Sequence, residues 1–521
     1  FEPYGWKVAG TENGEDWESI LNAYDELFTS ENKNQPKALW LKTRKGRGYE
    51  KFDNASHGAP HKRNSDEFWK IKAAFGERFG VQFEHLNTKA SEDFEINKKQ
   101  MADTLQSVMS LFDSMDGLAD YLADRLLDIA DSIPENNSVK MGFEQNPFDD
   151  DTIYDYKNYP TNLYREPGEK APNRAAFGNF GSWLNSYCQE KYGRPLALVC
   201  SADLAGSTNI AGFSKGWNNS PDFGMYHRER NPKGTLLPQG ITEFANAGLM
   251  TGISTVNFAK DPYKEFNGYI TSCSTYGSFS YLKYGAYRLF SQIAQDSQLK
   301  VGKTIWVAGH SGPETAEDFR THFGIFAPGV TQLFPEGKIL NLHPWEYNEV
   351  PVMLGAALAE DVPIIALHLT RPSIEIPHRK NLGMPSHFEA AKGAYVIKDY
   401  NDDREKEGVV LVRGTSVINE LCSILPQIIA DGSNIKIVAA LSWGLFQLQS
   451  EEYRSSVMKE DEWLDCMVIT NSSIGNMSHW VQHPIVKAYS LSPDWDNSWR
   501  FGGNLEEVID ESHLSAHWQL E

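Results

Sequence analysis

Within AGHSGPETAEDFRTH (308–322), His310, Asp318 and His322 share one glycine-containing loop. A histidine gives or takes a proton near neutral pH, so two of them beside a carboxylate suit acid–base work on a carbonyl or hydroxyl. The plain alternative is three solvated loop residues. Glu243, in TEFANAG (242–248), stands just before an apolar run. Such a residue is most often an acidic first-turn charge that favours the helix N-terminus. Tyr276 and Phe279, in STYGSF (274–279), are spaced as core aromatics commonly are, yet they also offer flat faces for stacking a ring. Arg174, Arg371 and Ser207 are far apart in sequence. Each alone reads as a surface polar group. His57 lies in a Gly/Pro loop, SHGAP (56–60), and Asp203 in SADLAGS (201–207).

The elements that must position these residues are partly legible. WESILNAYDELF (17–28) has apolar residues at helical spacing, and KALWLKT (37–43) reads as a buried strand. RKGRGYEKFDNASHGAP (44–60) is a long charged loop of the sort that often carries function. From Met101 through Leu105, Val108, Phe112, Met115, Ala119, Leu122 and Leu126 to Ile129, apolar residues recur at alternating steps of four and three. Asp116-Gly117 breaks this stripe into a helical hairpin, expected to pack on its own domain or, less simply, on a partner helix. NPFDDDTIYDYKNYP (146–160) reads as an acidic linker. The runs PLALVC (195–200), TIWVA (304–308) and PIIALHL (363–369) alternate with helical segments, as buried parallel strands do. VVLVRG (409–414), IKIVAAL (435–441) and CMVIT (466–470), with the helical SVINELCSILPQIIADG between the first two, repeat the pattern in a smaller α/β domain.

Composition excludes several function classes. The 521 residues carry a formal charge of −21, which argues against nucleic-acid or anionic-membrane binding. An anionic substrate would therefore need a local basic cluster. No apolar run is long enough for a membrane span, and FEPYGWKVAG is not a signal peptide, so a cytoplasmic location is expected. The opening segment, which lacks an initial Met, is expected to follow an upstream part of its gene product. Five scattered cysteines without a CxxC read as reduced thiols rather than a zinc site.

Taken in order, FEPYGWKV, SHGAP, NRAAFGNF (173–180), SADLAGS, TEFANAG, STYGSF, AGHSGPETAEDFRTH and LTRPS (369–373) resemble transketolases over most of the chain. The resemblance implies three-layer parallel-sheet α/β domains of the thiamine-diphosphate-binding fold plus a smaller C-terminal α/β domain. The implied boundaries are 1–90 for the C-terminal part of the diphosphate-binding domain and 91–170 for a helical insertion and linker. The pyrimidine-binding domain would span 171–390 and the C-terminal domain 391–521. It also implies transfer of a two-carbon ketol unit between sugar phosphates, with thiamine diphosphate and Mg²⁺ as cofactors and a homodimer as the assembly. Two alternatives stay open. One is a related thiamine enzyme of the phosphoketolase or deoxyxylulose-phosphate synthase type; the other is a non-catalytic subunit completed by a partner chain.

Carried over residue by residue, the resemblance gives Glu243 the bond to the cofactor's aminopyrimidine ring and sets Tyr276 and Phe279 against that ring. Asp203 resembles a carboxylate near the cofactor at the dimer interface, where a structural role is the alternative. His322 and His57 resemble substrate-side histidines, and Asp318 the aspartate that reads a sugar hydroxyl. Arg174, Ser207, His310 and Arg371 together resemble a phosphate cradle, whose guanidinium forks bind phosphate oxygens directionally. The family usually has Phe where this chain has Tyr276, so the added hydroxyl needs a partner. A third family aromatic maps to Tyr281 or Tyr284. The loop AEDFRTHFG departs from the family's GEDGPTHQP beside His322. No GDG…N metal motif occurs, so no metal ligand is expected in this chain. An upstream segment or second chain is expected to supply it.

Overall fold

The computed structural model describes residues 1–31, 34–54, 61–132, 145–202, 204–481, 483–500 and 503–521. The chain divides into two compact units, Phe1–Val139 and Lys140–Glu521.

In the first unit, β1 (Lys7–Thr11) and β2 (Lys37–Leu41) pair in parallel across the helix α1 (Trp17–Phe28). Asp16 fixes where α1 starts, because its carboxylate accepts from Ser19 N at 2.8 Å. The expected buried strand KALWL is only half-buried, with Trp40 44% exposed. Among the described residues its one strand neighbour is β1. Next come α2 (Asp66–Phe79), α3 (Phe94–Met109), α4 (Leu111–Ser114) and α5 (Leu118–Ser132). The break at Gly117 occurs as expected, with φ at +75°. The stripe does not pack on its own unit: Met101, Leu105 and Leu126 are each more than 60% exposed. Helical spacing gathers apolar residues on one face but does not supply a surface to cover them.

The second unit opens on the stretch read as a linker, which is instead packed structure. Short 3-10 turns over 147–163 put Ile153, Tyr159 and Leu163 into the core beside Phe180 and Trp183. Asp150 anchors them by accepting from Tyr187, Lys191 and Tyr192 at 2.8–2.9 Å. A strongly acidic string therefore folds because one carboxylate is neutralised and the aromatic residues between the acids are buried.

A short strand, β3 (Lys170–Pro172), leads into α6 (Asn173–Tyr192), followed by β4 (Ala197–Ser201), α7 (Glu243–Ile253), β5 (Ile270–Tyr276) and α8 (Tyr284–Asp296). After these come β6 (Thr304–Gly309), α9 (Ala327–Val330), β7 (Ile339–Leu342), α10 (Glu349–Ala359), β8 (Ile364–His368) and β9 (Ser373–Glu375), which pairs with β3. The five strands β4-β5-β6-β8-β7 form one parallel sheet. Their buried apolar runs are what a sheet covered on both faces requires. A second sheet follows, built from β10 (Ala394–Lys398), β11 (Val409–Arg413), α11 (Thr415–Ala430), β12 (Lys436–Ala440), α12 (Trp443–Gln447) and β13 (Cys466–Thr470). Its order is β10-β12-β11-β13, with β10 antiparallel. The α/β class and the parallel sheets agree with the sequence reading.

β5 is a strand that sequence patterning did not assign. ITSCSTY is mostly hydroxyl residues, yet all but Tyr276 are buried. Their hydroxyls bond across to neighbouring strands: Thr271 to Thr304 at 3.0 Å, Ser272 to the Ile305 carbonyl at 3.0 Å, and Ser274 to Ser201 at 2.9 Å. Polar side chains can fill a central strand when each is paired.

Candidate active site at the strand ends

Parallel strands present their C-terminal ends to one side of a sheet, where crossover loops leave room for ligands. Ser207 follows β4, Tyr276 ends β5, His310 follows β6 and Arg371 follows β8. Strand order therefore brings together residues that are up to 164 positions apart in sequence, Ser207 to Arg371. Arg174 joins them from the first turn of α6.

The α6 start is held by a residue the sequence reading missed. Asn173 donates to the Pro344 carbonyl at 2.8 Å and accepts from Thr370 N at 2.9 Å. Thr370 also bonds Thr415 at 2.6 Å. Because Asn173 and Thr370 directly precede Arg174 and Arg371, this buried bridge ties together the backbones that carry the two arginines. Its only sequence signal is adjacency to the two arginines.

Arg174 Nη1 donates to the Ser207 carbonyl at 2.7 Å and to His310 Nε2. With Nε2 accepting, the ring proton sits on Nδ1, which is buried and without a partner among the described residues. Arg174 Nε is likewise buried and unpaired. Burial, reinforced by Arg174 and Arg371, pulls the His310 pKa down to about 4, so the ring is neutral at physiological pH. His310 takes a positive φ of 58°, a strained backbone for a non-glycine residue. Arg371 pairs with Asp318 at 2.5 Å, and this bond holds the Asp318 carboxyl below its usual range. Among the described residues the two arginines thus differ: Arg371 has a carboxylate, whereas Arg174 has only neutral acceptors.

Tyr276 links the cluster to the aromatics. Its ring stacks on His310 at 4.5 Å, and its hydroxyl, which needed a partner, donates to Ser207 Oγ at 3.2 Å. His322 meets Tyr276 and Phe279 edge-on at 5.4 and 5.6 Å. Phe279 and Tyr281 line an apolar cavity of about 500 Å³ together with Phe326 and Trp499. Tyr284 turns away to Phe334. Glu243 is buried at the start of α7 and accepts from Thr275 Oγ1 at 3.0 Å; no other described residue bonds its carboxylate. Beside Glu243 and β5 lies fully buried Lys283, which donates to the Cys273 and Val307 carbonyls at 2.9 Å. Burial draws its pKa down to about 8. Neither Thr275 nor Lys283 was singled out in sequence, although Thr275 lies inside STYGSF.

Two of the sequence candidates, His57 and Asp203, lie outside the described residues. The expectation of no metal ligand meets one acidic group in the first unit, Glu84, His85 and Asp103. There Asp103 already bonds His85 at 2.7 Å and Lys99 at 2.8 Å, an ordinary surface ion-pair network.

The loop between His310 and His322 carries its own titratable group. Gly312 adopts φ +105°, and a Cβ there would meet Glu314 Oε2 at 2.1 Å. Glu314 is fully buried: one oxygen accepts from Ser416, and the other has no partner among the described residues. Burial raises its pKa to about 7. The folded state therefore holds a proton that the unfolded chain releases near pH 4.5. The contribution of Glu314 to stability therefore falls as pH rises from about 4.5 to about 7 and then levels off, by roughly 3 kcal/mol in all. Glu314→Gln removes this charge, so urea unfolding should show the variant gaining on the parent between pH 5 and pH 8. A parallel pH dependence in both proteins would mean that Glu314 is not the group responsible.

No protein-family model matches the chain. It is 26% identical over 465 residues to the transketolase of Staphylococcus aureus (strain MRSA252), covering 88% of this chain and 60% of that one. It is also 26% identical over 280 residues to the chloroplastic transketolase of Spinacia oleracea, covering 54% of this chain and 34% of that one. The chain thus spans well under two thirds of the length of these relatives. Among solved structures, Campylobacter jejuni transketolase superposes with a TM-score of 0.63 at 17% identity, covering 100% of this chain and 67% of that one. A Pichia stipitis transketolase in complex with xylulose 5-phosphate gives 0.63 at 20% identity, covering 99% and 66%. These structures share the fold. Among the described residues, no helix is long and apolar enough to cross a membrane.

Proposed function

We propose that this transketolase-like chain carries the substrate-binding and ring-binding half of an enzyme that moves a two-carbon ketol unit from a ketose phosphate to an aldose phosphate. The observation that supports this most is the cluster of Arg174, His310, Ser207 and Arg371 at the strand ends, an anion cradle inside a strongly acidic protein.

Arg174 and the Nδ1–H of neutral His310 are the donors left over for a terminal phosphate, and Arg371 adds a second fork. To Asp318, paired with Arg371, we assign acceptance from a sugar hydroxyl. To His322, against Tyr276 and Phe279, we assign proton movement at the hydroxyls nearest the bond that breaks. The residues fit thiamine diphosphate in two respects: Glu243 keeps an oxygen free for a ring nitrogen, and Phe279 with Tyr281 offers an apolar wall for a flat heterocycle. When bound, that cofactor supplies the electron sink that carbon–carbon cleavage next to a carbonyl requires. Glu243 would hold the ring and share a proton with its nitrogen. We assign the divalent metal and the diphosphate to a segment or second chain outside these 521 residues, and the assembly to a homodimer.

The test is product analysis. The chain, supplied with thiamine diphosphate, Mg²⁺, a ketose phosphate donor and an aldose phosphate acceptor, should yield a ketose lengthened by two carbons only when the metal-binding part is present. Release of acetyl phosphate or carbon dioxide would instead support a related thiamine enzyme. Metal-dependent cofactor binding by the 521 residues alone, read by calorimetry, would overturn the need for another segment. Absence of transfer in any assembly would leave the non-catalytic subunit as the better reading.

A further inference from the structure

A cavity of about 340 Å³ opens between the β7 end of the five-stranded sheet and the C-terminal sheet. That is within the size range of small-molecule sites. It shares no lining residue with the anion cluster described above. Arg413, the last residue of β11, lines it and is only 2% exposed. Buried guanidiniums normally face a carboxylate, because an uncompensated charge in a low-dielectric interior is strongly unfavourable. Here none does so among the described residues. Arg413 Nη2 donates to Ser472 Oγ at 2.6 Å. Both Nη atoms reach the Asn476 carbonyl only at 3.4 Å, and Gln332 already occupies that carbonyl at 2.8 Å. Nε has no partner. By contrast, buried Arg379 in the same unit bonds both Glu346 and Glu349.

Several of the other lining residues are aromatic. His343 lies parallel to His368 at 4.3 Å, and burial together with Arg413 keeps both rings neutral. Trp443 and Trp480 meet at 5.0 Å and 83°, giving two aromatic faces at right angles. Glu336 is the one carboxylate among the lining residues; it is exposed and does not offset the Arg413 charge.

We propose that this cavity is a second ligand site, which takes a small organic anion, a carboxylate or a phosphate carried on a flat ring. The anionic group pairs with Arg413 as the missing counter-charge, and the ring lies against Trp443 and Trp480. The site is independent of ketol transfer.

The experiment titrates the 521-residue chain with phenyl phosphate, benzoate and phenol, followed by tryptophan fluorescence and calorimetry. At least one of the two anions should saturate below about 1 mM and bind at least tenfold tighter than phenol. Which anion binds better identifies the acidic group. Arg413→Gln should weaken the anions at least tenfold and leave phenol unchanged. Should that variant not fold, Leu448→Glu decides. It places a carboxylate on an exposed residue of the cavity lining and should weaken the anions severalfold without changing the melting temperature. The proposal is overturned if neither anion saturates by about 10 mM, if phenol binds as well as the anions, or if the folded variants bind like the parent. Arg413 would then serve only to tie β11 to Ser472 and Asn476.

Discussion

Replacing Glu243 by Gln should leave the fold intact and slow proton exchange at the thiazolium carbon of bound thiamine diphosphate by roughly 10²–10⁴-fold, the range for a lost acid–base group. The carboxylate is buried at the first turn of α7 and, among the described residues, keeps only one bond, from Thr275 at 3.0 Å. Gln preserves that bond through its carbonyl oxygen and matches the shape, so packing changes little. What it loses is the ability to share a proton with a ring nitrogen. The measurement is deuterium exchange in the assembled holoenzyme, quenched on the millisecond scale. Exchange within a factor of a few of the parent rate would remove Glu243 from the mechanism. Cofactor affinity measured alongside separates a chemical defect from a binding defect.

Arg174→Ala should weaken phosphorylated substrates by about 10–100-fold in kcat/KM, corresponding to roughly 1.5–3 kcal/mol for a charge-assisted contact, while unphosphorylated acceptors change little. Arg371→Ala should do less. Its guanidinium is already paired with Asp318 at 2.5 Å, so part of its charge is spent before a phosphate arrives. Among the described residues Arg174 bonds only a carbonyl and a neutral imidazole, and its Nε has no partner. The structure thus ranks two residues that sequence treats as equivalent. Comparing acceptors with and without the phosphate, in both variants, tests the ranking. Equal losses for the two kinds of acceptor would show that these arginines do not read phosphate at all.

The sequence by itself determined the elements whose signal is local. WESILNAYDELF is the helix 17–28 and CMVIT the strand 466–470, end to end, because periodicity and capping act within a few residues. It also marked the loop that carries His310 and His322, and the two arginines. Three kinds of feature were decided only by the tertiary structure. The hydroxyl-rich strand β5 is buried because its side chains bond to β4 and β6, partners that single-strand patterning does not see. The acidic stretch after Asn146 packs because Lys191, 41 residues from Asp150, neutralises it. Which charge pairs with which is set by strand order: the crossovers place Arg371 on Asp318, Arg174 on His310, and no described carboxylate on Arg413. Residue type fixes what a side chain can do. Long-range packing fixes which donors are left unsatisfied, and a ligand is recognised by those.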